Sequence, residues 1–411
     1  MLAGECGNGP ALAMRILSRM APLYGADRLL LVTGAHVDGC IYHGPAGLDF
    51  AERLAESGDQ VAVPTSLNVV SLDRQRWRRL GIPPSFAEPS NRLAEAYLRM
   101  GASPTFTCTP YQTGIRPGLG EQVAWAESNA VAFANSVLGA RTNRYGDFLD
   151  ICCALTGRAP AAGLHLDEGR FGRLVLQLGH LPPALVERDD FYPVLGYLTG
   201  TLAGDQPVII DGLQARPTED QLKALVAAAA SSGAVALCHI VGITPEAATL
   251  HDALGGRPAG HTRRISIEDL RATRSRLSTT QTGAVDLVAF GSPHCSLEEC
   301  RHLANLMQSK RASPGVDVFI TTSRAVYQIL ERSALLTTLT DFGAKVTADT
   351  CIVVAPLVKP GTKLLMTNSA KYAHYGPGLL GLETVFSSTE ACVASAMSGT
   401  IVREDGPWLP A

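Results

Sequence analysis

Val285-Asp286-Leu287-Val288-Ala289-Phe290, running into Gly291-Ser292-Pro293-His294-Cys295-Ser296, decides how this chain folds. The first six residues are a short, mostly apolar run closed by glycine, the pattern of a buried strand. Helical periodicity follows over Leu297–Gln308, and a second apolar run comes at Val316–Thr321. Working outward, further strands are expected at Arg28–Thr33, Gln60–Pro64, Thr105–Thr107, Pro207–Asp211, Ala234–Ile240, Cys351–Ala355 and Lys363–Met366. Helices are expected at Pro10–Leu23, Ala46–Glu56, Pro89–Met100, Glu121–Leu138, Thr218–Ser231, Ser323–Arg332 and Thr389–Ser398. Short apolar strands alternating with helices predict an α/β protein of mostly parallel sheets covered on both faces.

At 411 residues the chain exceeds one ordinary core, so several domains are expected. The joint is placed at Asp205-Gln206-Pro207, giving regions 1–205 and 206–350 and a carboxyl-terminal segment 351–411 that completes the site. Gly255 to Arg264 reads as a loop. Charged residues are 18% and apolar ones 46%, which excludes a disordered chain, and a formal charge of −3 gives nucleic acid no electrostatic footing. Met1 to Pro10 lacks the basic-then-apolar order of a secretory signal, and no run reaches the roughly 18 apolar residues of a membrane span. The expected compartment is the cytoplasm. There the ten cysteines are core thiols, catalytic thiols or metal ligands rather than disulfides. No Cys-x-x-Cys pair occurs; Cys6, Cys40, Cys152, Cys153, Cys238 and Cys392 read as packing residues.

Three cysteines stand beside expected strands: Cys108 before Thr109-Pro110-Tyr111, Cys295 after His294, and Cys351 after Asp349-Thr350. In an open α/β sheet, residues at strand carboxyl ends converge on one crevice. Thiols distant in sequence can therefore meet around an iron–sulfur cluster, with zinc and plain core packing as rival readings. Glu127, Ser128, Asn129 and Asn135 fall on one expected helix, followed by Arg141, Asn143 and Arg144. Two arginines beside amides suit a carboxylate or phosphate; the alternative is pairing with Asp147 and Asp150. Ser369 and Lys371 follow an expected strand, where the serine is either reactive or a helix cap. Ser66 and Asn68 carry the same ambiguity.

Several stretches together resemble one family. They are Ile41-Tyr42-His43-Gly44-Pro45-Ala46-Gly47-Leu48-Asp49, Val63-Pro64-Thr65-Ser66-Leu67-Asn68, Cys108-Thr109-Pro110-Tyr111, Ala126-Glu127-Ser128-Asn129 and Asn135 through Arg144. Gly163-Leu164-His165-Leu166, Gly291–His294, Asp349-Thr350-Cys351 and Ser369–Tyr372 follow in the same order. Across essentially the whole chain these resemble the catalytic part of the aconitase X family. The resemblance implies an aconitase-like multi-domain α/β architecture lacking the small swivel domain, and a hydro-lyase using an iron–sulfur cluster. Bacterial members dehydrate cis-3-hydroxy-L-proline to pyrroline-2-carboxylate; archaeal members dehydrate phosphomevalonate, the second reading.

On this resemblance Cys108, Cys295 and Cys351 are the expected cluster ligands. Ser292 stands where some members have cysteine, which favours a two-iron cluster over a three- or four-iron one. Glu127, Ser369 and Lys371 are the expected catalytic groups. Ser66, Asn68, Tyr111, Ser128, Asn129, Arg141, Asn143, Arg144 and His294 are expected to bind a small hydroxy acid. The family's swivel domain carries a serine-rich loop with the base; this chain has no such loop, so a separate small subunit, or a domain outside this sequence, is expected to supply it. The reading from another class is a non-catalytic α/β binding protein whose cysteines are all core. Zinc hydrolysis is a third.

Overall fold

In the computed structural model, which describes residues 1–409, the apolar run Leu287–Phe290 lies in the middle strand of the largest sheet. Leu287–Cys295 is flanked by Asp317–Thr322 and then Ala344–Ala348 on one side, and by Leu364–Thr367 and then Glu383–Phe386 on the other. All four pairings are parallel. Side chains of a strand alternate between faces, and here the two faces enter different cores. Val288, Phe290, Val318 and Ile320 pack against Leu303, Met307, Leu330 and Val393 of the sheet's own helices. Leu287, Ala289, Phe319 and Leu365 instead join the core of the amino-terminal region. The helix Leu297–Met307 starts where it does because Ser296 and Glu299 form a reciprocal capping box.

A three-stranded parallel sheet, ordered Thr65–Leu67, Ala35–Val37, Ala124–Trp125, organises the amino-terminal region. A four-stranded parallel sheet follows, ordered Cys238–Ile240, Val208–Asp211, Leu174–Leu178, His261–Ile265. Its helices Phe191–Ala203 and Glu219–Gly233 touch backbone to backbone: a Cβ on Gly196 would stand 2.0 Å from the Leu225 carbonyl oxygen. Leu29–Leu31 and Arg158–Pro160 form a small antiparallel pair. The expected α/β class with mostly parallel sheets is therefore observed.

Several expectations need correction. The four-stranded sheet draws strands from both sides of 205/206, and the five-stranded sheet from both sides of 350/351, so neither division separates independent sheets. Glu121–Leu138 is not one helix: it contains a strand at Ala124–Trp125, a helix at Ser128–Phe133 and a π-turn at Ala134–Leu138. Cys351 does not open a strand but follows one, Ala344–Ala348. The Gln60–Pro64 strand lies later, at Thr65–Leu67. Within the expected loop Gly255–Arg264, His261–Ile265 is an edge strand. Cys6 is exposed rather than packed.

Candidate active site

An ion pair joins the carboxyl ends of the three-stranded and five-stranded sheets. Glu127 follows the strand Ala124–Trp125; Lys371 follows Leu364–Thr367. Lys371 Nζ donates to Glu127 Oε1 at 2.7 Å and to Ser128 Oγ at 3.3 Å. The other carboxylate oxygen of Glu127 accepts the Ala130 N–H at 2.6 Å, capping the helix Ser128–Phe133. Burial alone would raise the Glu127 carboxyl, but Lys371 and the helix N–H groups outweigh it and hold it below the ordinary value. Burial alone would lower Lys371, but Glu127 outweighs it and keeps the ammonium charged. An ammonium has three donors. Two are engaged by Glu127 and Ser128, and the lysine lines a cleft of about 310 Å³.

Ser369 lines the same cleft but is committed: its hydroxyl donates to the Ser292 carbonyl and accepts the Tyr372 N–H, capping Ala370–Tyr375. The cap reading, not the reactive one, describes this serine. Glu127, one of the expected catalytic groups, is held as a carboxylate and has no proton to give a leaving hydroxyl.

Cys108 and Cys351 are brought together through His294. The His294 main-chain N–H donates to Cys108 Sγ at 3.2 Å, and its Nε2 donates to the Thr350 carbonyl, next to Cys351, at 3.1 Å. With Nε2 the donor, Nδ1 accepts from Thr107 Oγ1 at 3.0 Å. Burial holds this imidazole neutral, its pKa lowered to about 4. His294 is thus a strut between the two thiol loops, with both ring nitrogens used, rather than a substrate ligand.

Both loops hold a non-glycine residue in the left-handed region two positions before the cysteine, Phe106 at φ +40° and Asp349 at φ +68°. Such strain persists only where surroundings over-determine it. Arg324 grips Asp349 and also Asp73, and Arg74 lies 5.1 Å over the Phe106 ring.

Burial pushes the Cys108 thiol up to about 12, with Glu127 adding and Lys371 opposing. Cys351 is also raised by burial, while the Val353 and Val354 N–H groups, Lys371 and Tyr372 favour its thiolate. Two sulfurs beside one cation, each already receiving N–H donors, fit the ligand environment of an iron–sulfur centre, whose metal takes the protons from its thiols.

The third expected ligand does not join them. Cys295 packs in the core of the five-stranded sheet with Cys300 as its partner, and that hydrogen-bonded pairing, with burial behind it, raises its thiol far above the ordinary value. Among the described residues no group of three or more His, Cys, Asp or Glu side chains is arranged to hold a metal ion.

The amide–arginine motif is also placed elsewhere. Arg141 pairs with Asp167 at 2.5 Å and reaches the His165 carbonyl. Arg144 is exposed and donates to the Ala234 carbonyl. Asn143 bonds the Ala162 carbonyl and the Leu164 N–H. Neither arginine pairs with Asp147 or Asp150. Asn135 ties Thr142, Ala236 and Arg170 together, so this stretch is a structural knot between the three- and four-stranded sheets.

Asn129 donates to the Cys108 carbonyl and the Tyr111 hydroxyl, and Tyr111 stacks on Phe133 with centroids 3.7 Å apart. These two shape the Cys108 loop. Ser66 accepts from His36 Nδ1 at 2.8 Å, and Asn68 Nδ2 donates to Asp38. His36, Asp38, Thr107 and Tyr372 were not singled out from sequence. Thr107 and Tyr372 adjoin chosen residues, whereas the three-residue strand Ala35–Val37 that carries His36 is too short to show a period.

Sequence models of one family match in succession. The aconitase X first domain matches residues 1–168, the second domain 174–275 and the third domain 285–398. The chain belongs to the aconitase X family. Each parallel sheet lies within one of those three ranges. This aconitase X chain is 51% identical over 412 aligned positions to cis-3-hydroxy-L-proline dehydratase of Pseudomonas aeruginosa, an alignment covering 100% of this chain and 70% of that protein. It is 39% identical to the phosphomevalonate dehydratase large subunit of Methanothermobacter thermautotrophicus, covering 94% of each. The structure of Thermococcus kodakaraensis aconitase X in its holo-form superposes with a TM-score of 0.85 at 33% identity, over 96% of this chain and 97% of that one. Among the described residues no helix is long and apolar enough to cross a membrane.

Proposed function

We propose that this chain is the large subunit of a hydro-lyase that dehydrates cis-3-hydroxy-L-proline to pyrroline-2-carboxylate. The observation that carries the substrate is the 51% identity to the Pseudomonas dehydratase across the full chain, against 39% to the Methanothermobacter phosphomevalonate large subunit. The cleft supports the same choice. A phosphorylated substrate needs several fixed cations, and among the described residues no arginine lines this cleft. Its second lysine, Lys223, is neutralised by Asp220 at 2.8 Å and Glu299 at 2.5 Å.

Lys371 binds the substrate carboxylate through its third donor. Negative charge grows on that carboxylate as the α-proton leaves, so a cation already fixed by Glu127 favours the transition state over the ground state. The ion pair also excludes Lys371 as the base, because the ammonium stays protonated. Ser369, tied to Ser292 and Tyr372, is not the base either. The base comes from a small subunit, in keeping with the large-subunit relatives, which this chain matches over 94% of their length in Methanothermobacter. Cys108 and Cys351 anchor an iron–sulfur centre, proposed to be of the two-iron type. When bound, it supplies a Lewis acid for a substrate hydroxyl.

Mixing the chain, anaerobically reconstituted with iron and sulfide, with its small subunit and cis-3-hydroxy-L-proline tests this reading. Pyrroline-2-carboxylate, detected as its coloured adduct with o-aminobenzaldehyde, is expected only when both subunits are present. Turnover of phosphomevalonate instead refutes the substrate, and full activity of the large chain alone refutes the shared site.

A further inference from the structure

Asp38, Asn68 and Glu127 stand just past the carboxyl ends of three adjacent parallel strands, Ala35–Val37, Thr65–Leu67 and Ala124–Trp125. Glu127 and Asn68 are buried at 4% and 1% exposure; Asp38 alone of the three is partly open. Its place is fixed twice. The Asn68 amide donates to Asp38 Oδ1, and the Asp38 main-chain N–H donates to Asp150 Oδ2 at 2.7 Å. Oδ2 of Asp38 has no protein partner among the hydrogen bonds of the described residues.

We propose that Asp38 is a catalytic proton donor of this site, holding on Oδ2 the proton that leaves with the substrate hydroxyl as water. The proposal rests on the dehydratase reading above and fills the role that Glu127, as a carboxylate, cannot.

The charges around Asp38 keep its proton in place. The charged groups that act on it from neighbouring segments are Glu127, Asp147 and Asp150, all acids, while His43 faces Asp147 and the Lys371 ammonium is held by Glu127. His36 offers no cation: burial holds it neutral, with a pKa lowered to about 4. Burial, reinforced by those acids, raises the Asp38 carboxyl to about 8. Two carboxyls with opposite protonation, past the ends of adjacent strands, divide the work: Glu127 fixes the carboxylate-binding cation, and Asp38 serves the leaving group.

The step balances. The base takes the α-proton, and the C–H electron pair becomes the ring double bond. The C–O bond breaks with its pair on oxygen, which takes the Asp38 proton and departs as water. The Asp38 carboxylate is reprotonated from solvent through its open side, and the base returns its proton to solvent.

The test is D38N in the assembled two-subunit enzyme, assayed on cis-3-hydroxy-L-proline and on cis-3-chloro-L-proline. Chloride leaves without a proton, so it does not need the donor. The expected result is a fall in kcat/KM of about 10²–10⁴-fold for the hydroxy substrate, with chloride elimination within about threefold of wild type. That retained elimination also shows the variant to be folded. A D38N enzyme that dehydrates at the wild-type rate, or that loses both reactions equally, overturns the proposal. A wild-type enzyme inactive on both compounds overturns the dehydratase reading and this role together, an outcome distinct from D38N matching an active wild type.

Discussion

Lys371→Met removes the cation that joins the sheets and leaves Glu127 facing an apolar side chain. The Glu127 and Lys371 side chains are 6% and 15% exposed, and their contact is 2.7 Å. Breaking one side of such a pair costs about 3–5 kcal/mol, because the remaining charge stays buried and unpaired. The cost depends on pH with a definite sign. Without Lys371, burial prevails and the Glu127 pKa rises above its unfolded value of 4.5. A carboxyl with a raised folded pKa contributes fully below its unfolded pKa and loses that contribution as pH climbs through the folded one. The deficit of K371M is therefore small near pH 4.5 and reaches its full size at pH 8. Adding Glu127→Gln removes the stranded charge at nearly constant shape. Urea unfolding at pH 5 and pH 8, followed by circular dichroism on both single variants and the double, measures the coupling. A coupling of at least about 2 kcal/mol at pH 8 is expected, well beyond the ~0.5 kcal/mol scatter of independent sites. Activity should not return in the double variant, since the carboxylate-binding cation is still absent. Additive losses, or a K371M deficit equal at both pH values, refute the reasoning.

Other expectations follow from the same geometry. Cys108→Ser and Cys351→Ser should each abolish bound iron and the visible absorption of the reconstituted protein, whereas Cys295→Ser should retain both; equal loss in all three variants contradicts the two-thiol anchor. Arg141→Ala should leave kcat/KM within about threefold while costing about 1 kcal/mol for a partly exposed ion pair; a hundredfold loss of kcat/KM would return Arg141 to the site. Burial raises Asp38 to about 8 and Asp150 to about 7, both above an unfolded value of 3.8, so the folded state holds the extra protons and stability falls as pH rises from about 4 to about 8. Thermal unfolding of D38N should show a shallower fall over that window, and an unchanged slope contradicts the buried-acid account.

Where local pattern is long, the sequence and the structure coincide. Leu287–Cys295, the helix Leu297–Met307 and the strand Asp317–Thr322 lie close to where apolar runs and helical periodicity place them. Where an element is shorter than its own period, it goes unseen. Ala35–Val37 has three residues, too few to show alternation, yet it carries His36 and directs Asp38. Glu121–Leu138 has helical periodicity throughout, but Ala124 and Trp125 pair with the neighbouring strand through Ala35 and His36. Pairing across the sheet overrode local propensity there.

Sequence alone determined the α/β class, the family motifs in their order, and the placing of Cys108 and Lys371 just past expected strands; it set Glu127 inside an expected helix and Cys351 at the head of an expected strand. These follow from residue type and local period, which each segment carries by itself. Tertiary structure decided which of those residues work together. It set Lys371 on Glu127 across 244 positions of chain, gave Arg141 to Asp167, turned Cys295 into a core with Cys300, and left a proton on Asp38 by surrounding it with acids. Ionisation and partnership depend on what stands within a few ångströms, and that distance is fixed by how sheets pack rather than by spacing along the chain.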